Sequence, residues 1–107
     1  MLIKAHHPDI GEFLVLNELQ LRYDRRMPRR VRAYTALAEE RYDLPTYPVV
    51  VNILPSSSSV EIPNSFQSEL FGLQSKQDYR VINLWQVDVD MALNTPLPTL
   101  LPFVPIL

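Results

Sequence analysis

Between residues 13 and 21 the chain reads Phe13-Leu-Val-Leu-Asn-Glu18-Leu-Gln20-Leu21, a run of apolar positions broken by three polar ones. This pattern predicts a β-strand from Phe13 to Leu21 or Arg22. Side chains on a strand alternate between its faces. Phe13, Val15, Asn17, Leu19 and Leu21 therefore share one face, and Leu14, Leu16, Glu18, Gln20 and Arg22 the other. Both faces are largely apolar, as in a strand covered on both sides. From Pro28 onward, Val31, Tyr34, Leu37, Ala38 and Tyr42 recur at the spacing of one helix face. Pro28 suits a first helical position, and Asp43-Leu-Pro45 ends the helix, because a residue preceding proline avoids the helical region.

Val49-Val-Val-Asn-Ile-Leu54 is short, β-branched and bounded by Pro48 and Pro55, which predicts an interior strand. A further strand is read over Phe66 to Leu73, interrupted by Gly72, and another from Tyr79 to Val87. Leu2-Ile3 reads as the end of a strand, Pro8-Asp9-Ile10-Gly11 as turn chemistry, and Ser56 to Ser59 as a polar loop tip. Val89 to Leu93 reads as one helical turn, and the proline-rich tail from Thr95 as extended. A helix between strands implies a crossover and hence parallel pairing. The predicted class is α/β, a mixed β-sheet with flanking helices in a single domain spanning 1–107.

Composition narrows the choices. With 47% hydrophobic and 21% charged residues, the chain is globular rather than disordered. It has no cysteine, which excludes disulfides, thiolate metal sites and a cysteine nucleophile. No apolar run approaches the ~20 residues of a membrane span, and the first residues do not form a signal peptide, so a cytoplasmic protein with no membrane partner is expected. The net charge of −2 hides an asymmetry: from Arg22 to Arg32, six arginines face one acid, Asp24, leaving that segment at +5. Arginine at a helix N-terminus opposes the macrodipole. A bound phosphate would offset that cost, which marks Arg25, Arg26, Arg29 and Arg30 as phosphate-binding candidates; a solvated helix start is the plainer alternative.

Glu18-Leu-Gln20, then Pro28-Arg29-Arg30 and Tyr34, resembles the E-x-Q…P-x-R-x-x-x-Y signature of the recombination-promoting nuclease or putative transposase family, the cyanobacterial type of PD-(D/E)XK nuclease-like proteins. The likeness continues through Tyr47 to Pro55, Tyr79 to Trp85 and Leu100 to Val104. The resemblance implies a restriction-endonuclease-like core, DNA as partner, and metal-dependent cleavage of phosphodiesters. Glu18 would be a catalytic metal ligand and Gln20 would orient the attacking water. Mg²⁺ suits such a site because it accepts one or two carboxylates and retains several waters. The second ligand is the difficulty. Asp9, in a literal Pro8-Asp9, lies nine residues before Glu18, whereas the family places its aspartate further upstream. Either Asp9 serves through a shortened hairpin, or the chain is an incomplete copy, cut at both ends and inactive. Truncation is the favoured expectation.

Other candidates are weaker. His6 and His7 are adjacent and point apart on an extended chain, Asp88 and Asp90 suit capping, and Trp85 and the tyrosines fall on predicted core faces. A salt bridge from Glu18 to Arg22 or Arg30 is the structural alternative to a metal site. Three readings follow: a metal-dependent endonuclease or its fragment, a non-catalytic nucleic-acid-binding module, and a small interaction or structural module in which Glu18 and Arg30 satisfy each other. An incomplete fold would also be marginally stable or form a homodimer that hides its exposed edge.

Overall fold

A computed structural model describes residues 1–56 and 61–87. The expected loop at 57–59, the helical turn at 89–93, Asp88, Asp90 and the tail lie outside these residues. Six strands and one α-helix follow in the order β1 (Leu2–His7), β2 (Gly11–Gln20), α1 (Met27–Tyr42), β3 (Thr46–Asn52), β4 (Ser65–Leu70), β5 (Leu73–Asp78) and β6 (Arg80–Asn83), then a 3-10 turn at Leu84–Gln86. The first, second, third and sixth strands form one sheet in the order β1-β2-β3-β6, and β4 and β5 form a separate hairpin. β1 runs antiparallel to β2, whereas β2, β3 and β6 are mutually parallel. The chain is thus an α/β fold with a mixed sheet and one helix among the described residues.

The β2-α1-β3 unit is where sequence pattern and structure agree best. Val15, Val49, Ala5 and Ile82 cluster on one sheet face; Val50, Met27, Val31 and Tyr79 cluster on the other, under α1. Full burial of Val31 and Val50 contributes about 1.5–3 kcal/mol each. Pro48 lies inside β3 rather than bounding it. The ladder to β2 runs through alternate residues, from the Pro45 carbonyl (2.8 Å to the Leu14 N–H) to the Ile53 N–H (3.0 Å to the Gln20 carbonyl). Pro48 therefore turns its nitrogen to the opposite edge, where β6 begins pairing only at Val49. Its missing N–H costs no ladder bond.

Helix α1 starts with Pro28 in its first turn. Asp24 closes the entry: its Oδ1 accepts the Arg26 N–H at 2.8 Å and its carbonyl accepts the Met27 N–H at 2.9 Å. At the other end Asp43 is left-handed, with φ 52, and its N–H reaches the Glu39 carbonyl at 2.9 Å. The buried stripe is Met27, Val31, Thr35 and Ala38. Tyr34 and Leu37, expected inside, are 44% and 64% exposed, and Tyr42 is exposed too. The inward stripe runs through Thr35 instead of Tyr34, which leaves the tyrosine on the flank beside Arg30.

Two strand expectations are corrected. The segment read as one strand over Phe66 to Leu73 is a hairpin whose two-residue turn, Phe71-Gly72, joins β4 to β5. That hairpin packs on α1 and carries the chain from the end of β3 back to the start of β6. The segment read as a strand to Val87 leaves the sheet after Asn83. There the Asn83 amide donates to Gln86 Oε1 at 3.1 Å and the Val87 N–H to the Leu84 carbonyl at 3.3 Å, closing a turn.

Candidate functional site

Glu18 and Gln20 lie on one face of β2, as alternation requires, opposite Val50 and Asn52 of β3. This is the face under α1, since Val50 packs on Met27 and Val31. The Gln20 amide is bonded at both its nitrogen and its oxygen. Its Nε2 donates to Asn52 Oδ1, and its Oε1 accepts the Asp24 N–H at 3.2 Å. Asn52, entirely buried, donates in turn to Asn83 Oδ1 at 3.0 Å. Gln20, Asn52 and Asn83 are register partners across three parallel strands. With Gln86 they form a carboxamide chain along the carboxyl ends of the sheet. Gln20 therefore anchors the loop that leads into α1.

Asp9 lies in the turn between β1 and β2, at the opposite end of β2 from Glu18. Glu18 is seven residue steps from Gly11, which is about 23 Å of strand. Asp9 thus cannot share an ion with Glu18, and the shortened-hairpin alternative fails on distance. Its N–H instead bonds His7 Nδ1 at 3.1 Å, an exposed contact that pins the turn. Glu18 is half-buried. The ion pairs among the described residues are Lys4–Glu12 at 3.2 Å and Lys76–Asp78 at 3.8 Å, so Glu18 pairs with neither Arg22 nor Arg30. No three of His, Asp and Glu gather into a metal-holding group among the described residues.

The arginines separate by role. Arg22 Nη1 donates to the Pro55 carbonyl at 2.9 Å, tying together the chains that leave β2 and β3. Arg32 lies 4.8 Å above the ring of Phe66, holding the hairpin to the helix. The remaining four, Arg25, Arg26, Arg29 and Arg30, line one open groove with Ala33 and Tyr34. All four are exposed, and none is paired with a carboxylate among the described residues. The first turn of α1 holds no acid, and Asp24, the one acid of the segment, accepts the Arg26 N–H. The positive end of the helix dipole adds to the same field. Four permanent cations with forked donors of the kind that suit phosphate oxygens thus stand together on one open surface.

The aromatic residues divide as well. Trp85, expected in the core, is 40% exposed in the 3-10 turn. Tyr79 is buried and donates its hydroxyl to the Pro63 carbonyl at 3.0 Å. Burial, with a smaller contribution from nearby Tyr23, pushes its pKa up to about 12. Among the aromatic side chains of the described residues, Tyr34 joins the arginine groove. The carboxamide chain is what sequence reading missed. Its signal was present: β3 and β6 both end in asparagine after an apolar run, at Val49-Val50-Val51-Asn52 and Val81-Ile82-Asn83. No helix of the described residues is long and apolar enough to cross a membrane.

No family model, curated protein or solved structure significantly matches the chain.

Proposed function

We propose that this protein binds nucleic acid non-catalytically, through phosphate contacts made by Arg25, Arg26, Arg29 and Arg30. One observation carries the reading: of six arginines in the basic segment, the four without a structural task converge on a single open groove at the start of α1. Tyr34 on the groove wall offers a ring for stacking on a base. DNA is the partner implied by the likeness to the nuclease family, in whose signature Arg30 and Tyr34, both on this groove, take part. The restriction-endonuclease-like core belongs to the same proposal, supported by the parallel β2-α1-β3 unit and the mixed sheet. The test is charge reversal. Arg25→Glu, Arg26→Glu and Arg29→Glu together should abolish binding to a labelled duplex at low salt and leave the thermal unfolding midpoint nearly unchanged. Undiminished binding by the triple variant would refute the groove.

A second reading, metal-dependent hydrolysis of the bound strand, is favoured by Glu18. This half-buried carboxylate has no ion-pair partner and lies on the helix-covered face, two residues from the Gln20 anchor of the groove loop. Nicking of plasmid DNA in Mg²⁺ or Mn²⁺ that disappears in Glu18→Ala would establish it. Absence of nicking by the wild-type protein would leave binding as the whole activity.

A further inference from the structure

The β4–β5 hairpin ends in an apolar apex that the arginine groove leaves unexplained. Leu70, Phe71 and Leu73 are 68%, 97% and 80% exposed. Behind them the strands are polar, with Gln67, Ser68, Glu69, Gln74, Ser75 and Lys76. A hairpin serving only to connect β3 with β6 would carry turn residues at its tip. Here the turn has positive φ at both centres, 51° at Phe71 and 83° at Gly72. That geometry favours Asn-Gly, and a bulky side chain at positive φ is a strained choice. The chain therefore holds an aromatic ring in water, on a strained backbone, at the end of a polar arm.

The arm is packed against the helix that carries the groove. Phe66, near its base, is buried under the Arg32 guanidinium, and both strands contact α1. Five strand residues from Phe66 to Phe71 span about 17 Å, and Arg32 stands less than one helical turn from Arg29. The apex thus lies within roughly 30 Å of the groove, closer than the ~34 Å of one duplex turn. Apolar wedges that enter a base step unstack it and kink the duplex. We propose that Phe71, flanked by Leu70 and Leu73, is such a wedge, entering between stacked bases of the duplex whose phosphates the four arginines hold. The inference rests on the phosphate-binding reading and adds what the protein does to the bound duplex.

The substitution Phe71→Asn tests it without unfolding the arm, because it installs the Asn-Gly turn this geometry prefers. The probe is a short DNA duplex carrying 2-aminopurine, whose emission rises on unstacking, with binding followed separately by anisotropy at about 50 mM salt. Wild-type protein should raise the emission roughly two- to five-fold at saturation, as base steps open. Phe71→Asn should keep binding within about three-fold, since its phosphate contacts are intact, and lose the emission rise. Binding by the wild type with flat emission, or an equal rise in Phe71→Asn, would overturn the wedge and leave the groove standing. No binding by the wild type would overturn both. Self-association of the wild type that Phe71→Asn abolishes, again with flat emission, would assign the apex to a second copy of the chain instead.

Discussion

At the scale of single residues, the carboxamide chain is the feature with the largest energetic stake. Asn52 is buried and bonded on both sides, to Gln20 and Asn83. Replacing it with alanine leaves two buried or half-buried amide groups unpaired, at about 1–3 kcal/mol for each group stranded. We expect Asn52→Ala to lower the unfolding free energy by about 2–3 kcal/mol in urea titration. A loss below about 0.5 kcal/mol would show that water replaces the chain at no cost. Glu18 presents the opposite case. A half-buried carboxylate with no ion-pair partner among the described residues gains little from its charge, so Glu18→Leu should be neutral or stabilising by up to about 1 kcal/mol. Clear destabilisation would reveal a partner for Glu18 and weaken its reading as a residue kept for function. Gln20 carried the most chemistry in the sequence, yet its neighbours redefine it. Nothing local announces that Asn52, thirty-two residues away, will take its amide. That contact depends on strand register, which sequence periodicity does not specify between separate strands.

Among the elements, β2, α1 and β3 were legible because each carries a strong local signal: an apolar strand, a proline-started periodic helix, and a run of valines. The hairpin was misread because its turn lacks the usual residues. Phe71 stands where Asn or Gly was needed to advertise a two-residue loop. Releasing that strain should help: Phe71→Asn should raise stability by about 1 kcal/mol, read as a higher thermal midpoint. The end of β6 was misread because Asn83 leaves the sheet through side-chain bonds invisible to alternation. Tyr79, at the start of that strand, gives the fold a pH dependence. An unfolded tyrosine titrates near 10, and Tyr79 in the fold at about 12. Between these values the unfolded chain has released the proton and the folded one retains it. The stability contributed is therefore intact below about pH 10 and falls as pH rises toward 12. Tyr79→Phe should start less stable by about 1 kcal/mol, having lost the bond to the Pro63 carbonyl. The wild-type advantage should then shrink across that window. Parallel curves for the two proteins between pH 10 and 12 would mean that Tyr79 is not shielded from water.

For the whole molecule, an acidic chain with one basic groove predicts local attraction to a polyanion rather than general stickiness. β1 is an edge of the sheet among the described residues, and the Lys4–Glu12 pair and His6 place charge and polarity along it. Such residues oppose the edge-to-edge pairing that a bare strand invites. The segment was legible as basic, but not which arginines were free for a ligand, because the tasks of Arg22 and Arg32 are set by Pro55 and Phe66, both more than thirty residues away. The salt dependence of duplex DNA binding tests the groove most directly. Four phosphate contacts should give a slope of log affinity against log salt of about −3.6, a loss of roughly 150-fold between 50 and 200 mM. A slope shallower than about −1 would contradict a four-arginine phosphate site.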